Sequence, residues 1–119
     1  MNKPAKDRTS VVMARVKQYV ADSIGQGCKA EEVARHFHYH PKYLSQWFKR
    51  ENGQPLSAFI ASVRMERAKS LLLETDQTAS AIADQLGFSS SQHFFKRFKQ
   101  DTKTTPIRFR SDRRRGATS

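Results

Sequence analysis

Residues 30–53 read AEEVARHFHYHPKYLSQWFKRENG, and residues 79–103 read ASAIADQLGFSSSQHFFKRFKQDTK. The two stretches are versions of one pattern. Val33-Ala34 with Phe37 returns 49 positions later as Ile82-Ala83 with Leu86, and Phe48-Lys49 returns 50 positions later as Phe98-Lys99. The change of offset places a one-residue difference near the turn of the two copies. In each copy the apolar residues keep helical spacing, over about 29–37 and 41–52 in the first and 79–86 and 90–101 in the second. A short helix, a tight turn and a longer amphipathic helix outline a helix-turn-helix, whose second helix can enter a major groove.

On either side of these copies the same periodicity continues. Pro41 suits the first position of a helix, where its missing N–H needs no partner, and Gly53 is placed to stop that helix. Pro55 opens a longer helix in which Leu56, Phe59, Ile60, Val63, Ala68, Leu71 and Leu72 keep helical spacing. Upstream, Val12, Val16, Tyr19 and Val20 share one helix face, ended by Gly25 and Gly27. Thr105-Pro106 reads as the cap and first residue of a last turn ending near Arg110. The fold expected is all-α: two helix-turn-helix subdomains with homeodomain-like lobes, joined by a long central helix. Residues 1–9 read as a flexible arm and 10–110 as the binding domain. Within that domain 10–53 is the first lobe, 55–73 the linker helix (about 28 Å at 1.5 Å per residue) and 78–110 the second lobe. Residues 111–119 read as a basic tail.

Composition narrows the function. The 119 residues carry 22 Lys+Arg against 11 Asp+Glu, a net charge of +11, which points to a polyanionic partner. Eight Phe, three Tyr and one Trp supply enough apolar bulk for a core. No apolar run approaches the roughly 20 residues that span a bilayer, so no membrane role and a cytoplasmic, nucleoid-associated location are expected. A single Cys28 excludes an intrachain disulfide and a Cys-based zinc site. His36, His38 and His40 alternate, but alternation gathers ligands on a strand, and this stretch reads as a helix end and turn. Trp47 and Phe59 read as packing between helices. No nucleophile–base pair, phosphate loop or carboxylate pair is apparent, so neither an enzyme nor a cofactor is expected.

On a helical wheel with Leu44 inward, Lys42, Gln46 and Lys49 face outward and Ser45 and Arg50 flank them. With Phe94 inward, Gln92, Lys96 and Lys99 face outward, beside Ser89, His93 and Gln100. Gln can pair with adenine through two hydrogen bonds, Lys favours guanine or phosphate, and Ser accepts several partners. Lys49, Arg50, Arg97 and Lys99 suit phosphates, which give affinity and register without sequence information. From Lys103 onward, six cations against Asp112 give a local charge of +5. That segment could run along a DNA backbone or simply aid solubility.

The motifs Tyr43-Leu44-Ser45, Phe48-Lys49-Arg50-Glu51-Asn52-Gly53, Arg64, Arg67-Ala68, Leu71-Leu72, Ile82-Ala83, Gly87-Phe88-Ser89, Phe94, Phe98-Lys99, Thr105-Pro106 and Phe109-Arg110 resemble the DNA-binding domain of the AraC/XylS transcription regulators. The resemblance runs over about 70% of the chain, from Cys28 to Arg110. The length is similar to the stand-alone MarA/SoxS type. The resemblance implies base-reading roles for Lys42, Ser45 and Gln46 in the first copy and for Ser91, Gln92 and Lys96 in the second. It also implies a double-stranded-DNA-binding transcription activator that touches RNA polymerase. Two different reading helices in one chain remove the usual need for a symmetric dimer, so a monomer on DNA is expected. Two positions depart from the pattern: Cys28 stands where Ser or Thr opens a capping box closed by Glu31, and Lys103 stands where Gly caps the sixth helix. The rival reading is a nonspecific nucleic-acid-binding or chromosome-architecture protein; outward Gln46, Gln92 and Ser45 favour specific reading.

Overall fold

The computed structural model describes residues 3–118, with side chains from Arg8 to Gly116. Among the described residues seven helices follow one another: α1 (Lys3–Ser23), α2 (Ala30–His36), α3 (Pro41–Asn52), α4 (Leu56–Glu74), α5 (Ala79–Gln85), α6 (Ser91–Thr102) and α7 (Pro106–Thr118). A 3-10 turn, Ile24–Gln26, follows α1, and no strand occurs among the described residues.

The chain divides into two compact units, Met1–Ile24 with Cys28–Val63 and Gly25–Gly27 with Arg64–Ser119. The division falls inside α4, so that helix is more than a linker. Its Leu56 and Ile60 belong to the first core, and its Met65, Ala68 and Leu72 to the second. Helices α2 and α5 have seven residues each, too few to be stable alone. Their buried pairs, Val33-Ala34 and Ile82-Ala83, hold them in place. Phe48 and Phe98 are fully buried at matching positions. Truncating either to Ala should cost about 3–5 kcal/mol. The sequence reading left Met13 and Met65 out of the core, yet each lies three and seven residues ahead of buried positions (Val16 and Val20, Ala68 and Leu72), and they are 6% and 2% exposed.

Three helix ends differ from expectation. First, α1 starts at Lys3, so residues 3–9 are helix rather than a loose arm; Met1 and Asn2 lie outside the described residues. Pro4 is compatible with this start, since the first-turn N–H groups have no helical partner anyway. Second, α7 runs to Thr118 instead of ending near Arg110, and only Ser119 of the tail lies outside the described residues. Polar and basic as it is, this helix is tied down. Arg114 reaches the Thr75 carbonyl at 2.7 Å and Asp76 at 3.1 Å, while Asp112 pairs with Arg115 at 2.8 Å. Third, the cap of α2 is Lys29 rather than Cys28. The Glu32 carboxylate, not that of Glu31, accepts from the Lys29 N–H at 3.2 Å. Cys28 is instead buried in the core, 2% exposed.

Candidate nucleic-acid interface

In the first unit α2 ends in a reversal made by backbone alone. The His38 N–H donates to the Arg35 carbonyl at 3.1 Å, and the Tyr39 N–H donates to the Ala34 carbonyl at 2.9 Å. In the second unit the Gly87 N–H donates to Asp84 at 3.2 Å, and the Phe88 N–H to Ala83 at 3.0 Å. Both are Schellman turns, which need a left-handed residue just past the helix. That residue is Gly87 (φ 81°) in one unit and His38 (φ 63°) in the other. Left-handed backbone costs a side chain with a Cβ more than it costs glycine, although His tolerates it better than most.

The turns then deliver α3 and α6 with different caps. The His40 ring nitrogen Nδ1 accepts from the Lys42 N–H at 3.2 Å, whereas the Ser90 hydroxyl accepts from the His93 N–H at 3.0 Å. Ser89 is the extra residue behind the change of offset, and its hydroxyl lies 3.3 Å from Nδ1 of His93. The far ends match again. Gly53 (φ 80°) and Lys103 (φ 66°) are both left-handed, with N–H groups bonded to Lys49 and Lys99 at 2.8 Å. The Asn52 amide and the Thr102 hydroxyl donate to the Phe48 and Phe98 carbonyls.

With Leu44, Phe48, Phe94 and Phe98 fully buried, each helix shows a polar face to solvent. On α3, Lys42, Gln46, Lys49 and Arg50 are exposed and Ser45 is half-buried. On α6, Gln92, Lys96 and Lys99 are exposed and Ser91 is half-buried. Arg97 stands apart: it is half-buried and turns back to Asp101 at 3.4 Å. Meeting a phosphate would require it to leave a pair of the exposed kind, worth about 1 kcal/mol or less.

A family profile described as "Helix-turn-helix domain" matches residues 33–112. The chain is 42% identical over 84 residues to the HTH-type transcriptional regulator YtdP of Bacillus subtilis, covering 71% of this chain and 11% of that protein. The C-terminal domain of AraT, a response regulator from Geobacillus stearothermophilus, superimposes with a TM-score of 0.77 at 29% identity, covering 85% of this chain and 84% of that one. The chain belongs to the AraC-type helix-turn-helix family. The DNA-binding domain of AdpA, solved with a target DNA, shares the fold at a TM-score of 0.77 and 19% identity, covering 86% of this chain and 92% of that one. The family and these relatives are DNA-binding transcription regulators, not enzymes. The chain spans 11–39% of the length of three curated relatives that it matches.

Within this AraC-type domain several residues escaped the periodicity. Tyr43 and Phe95 lie on α3 and α6 and are exposed, 51% and 38%. Tyr43 leans on Tyr39 and Trp47, with ring centroids 5.9 and 5.8 Å away, so Trp47 does pack, as does Phe59 against Phe48 at 5.2 Å. Reading the second copy against the first at the 50-residue offset would have singled out Phe95, which stands in the register of Ser45. The three alternating histidines are put to separate uses: His36 stacks on Tyr19 at 4.1 Å, His38 makes the turn and His40 caps α3. Among the described residues no helix is long and apolar enough to cross a membrane.

Proposed function

We propose that this AraC-type domain is a sequence-specific reader of double-stranded DNA, inserting α3 and α6 into two adjacent major-groove segments as part of a cytoplasmic transcription regulator. The observation that carries the reading is the repeated geometry: a Schellman turn in each unit leads to a helix with corresponding positions buried and the same register outward. Lys42, Ser45 and Gln46 on α3, and Ser91, Gln92 and Lys96 on α6, read base edges. Lys49, Arg50 and Lys99 meet phosphates, as does Arg97 once released from Asp101. Two non-identical reading helices in one chain remove the need for a symmetric dimer, so the domain binds as a monomer. Activation through contact with RNA polymerase belongs to the same proposal and is supported by the family resemblance.

Selection from a pool of random duplexes tests the reading. Enrichment of one asymmetric sequence is the expected result. A pool that stays random through successive rounds would favour the nonspecific architectural reading instead.

A further inference from the structure

The second unit carries an apolar ridge beside its reading face. Phe95 is 38% exposed on α6, and Ile107, in the first turn of α7, is 74% exposed. With Ala79, Thr105 and Pro106 they line an open groove of about 270 Å³. Phe95 stands in the register that Ser45 occupies on α3. It lies one helical turn from Ser91 and Gln92 on one side and from Lys99 on the other, so it borders the outward polar face rather than the core. Cations bracket the ridge: Lys99 is exposed on α6, and Arg108, which follows Ile107, has a side chain 75% exposed although paired with Asp112 at 3.8 Å. Such a setting suits a polyanion that also offers an apolar group.

In a major groove that apolar group is the C5-methyl of thymine, and phenylalanine is among the side chains that contact it. We infer that Phe95 reads a thymine methyl in the segment bound by α6, making it a specificity-determining residue of the second unit. Ser45, at the same register, offers a hydroxyl, so the two units differ in kind and not only in sequence preference. The inference rests on the base-reading role proposed for α6.

Deoxyuridine, which is thymidine without the methyl, gives the test. A selected high-affinity duplex is remade with each thymine replaced in turn, and binding is measured for the full chain, Phe95→Ser and Phe95→Leu. At one thymine in the segment whose preference relaxes in Gln92→Ala, the replacement should weaken the unaltered chain about fourfold, the equivalent of one buried methyl. Phe95→Ser should be indifferent to the replacement, while Phe95→Leu, still apolar, should keep the penalty. An unaltered chain indifferent at every thymine would overturn the inference. So would an equal penalty in Phe95→Ser, which would show that a residue other than Phe95 contacts that methyl. If Gln92→Ala also left the sequence preference intact, the base-reading role of α6 would fall with it. A response to Gln92→Ala without a Phe95-dependent methyl effect removes only the thymine contact.

Discussion

Arg110 donates from Nε to the Leu72 carbonyl at 2.7 Å, joining α7 to the last turn of α4. Its Nη2 donates to both the Thr75 and the Gln77 carbonyls, and Arg114 adds bonds to Thr75 and Asp76. The final carbonyls of a helix have no partners of their own, and a planar guanidinium can answer several at once. The segment between α4 and α5 is thereby fixed just ahead of Thr78, whose hydroxyl caps α5 by accepting from the Ala81 N–H at 3.1 Å. Part of the basic charge near the C-terminus is therefore committed to the protein rather than to a ligand.

Arg110→Ala should destabilise the domain by about 2 kcal/mol, the range for hydrogen bonds to a charged group. Arg110→Lys should recover little of this, since one ammonium cannot span three carbonyls. Urea unfolding measures both. Arg114→Ala should lower stability while leaving the salt dependence of DNA binding unchanged; a shallower salt slope would mean that Arg114 neutralises a phosphate.

His38→Gly should stabilise the first unit by about 0.5–1 kcal/mol, because the turn already requires positive φ. Lys103→Gly should act alike at the end of α6. The opposite change, Gly87→Ala, should destabilise by more than either gain. It strains a φ of 81°, and the added Cβ would lie 3.2 Å from the Cα of Gly27, a backbone atom with little room to give. The check is the denaturant midpoint at constant slope.

Gln46→Ala and Gln92→Ala should each weaken the best duplex by about 1–3 kcal/mol and relax preference only at the base pairs they read. Lys49→Ala and Lys99→Ala should weaken all duplexes alike and make the salt slope shallower. Competition binding against selected and random duplexes separates the two patterns. Glutamine variants that lose equally on random DNA would favour the nonspecific reading.

One chain should occupy one site, and the site should lack two-fold symmetry, because α3 and α6 present different outward residues. Stoichiometric titration with a short selected duplex measures this. Two chains per site, or a palindromic selected sequence, would contradict the monomer reading.

The repeat made the architecture legible. Leu44, Phe48, Phe94 and Phe98 were placed inward by spacing alone, and all four are fully buried. Gly53 marked its turn because glycine is the usual residue at positive φ. His38 marked nothing, since its left-handed conformation is imposed by the Schellman hydrogen bonds around it and not by its own preference. The extra turns of α7 were hidden for a related reason. Arg110 and Arg114 look like solvated charge in the sequence, and their carbonyl partners lie more than 30 residues away. On α3 and α6, the wheel found the exposed faces but not Phe95, an apolar residue where a solvent-facing position was expected to be polar.

Sequence-specific DNA reading by α3 and α6 is tested most directly by salt titrations on a selected and a random duplex in parallel. With on the order of six phosphates neutralised, log affinity should fall against log salt with a slope near −5 on both duplexes. The selected duplex should remain tighter by a factor of at least roughly 10³ throughout. A slope near zero, or equal affinity for the two duplexes, would contradict the account.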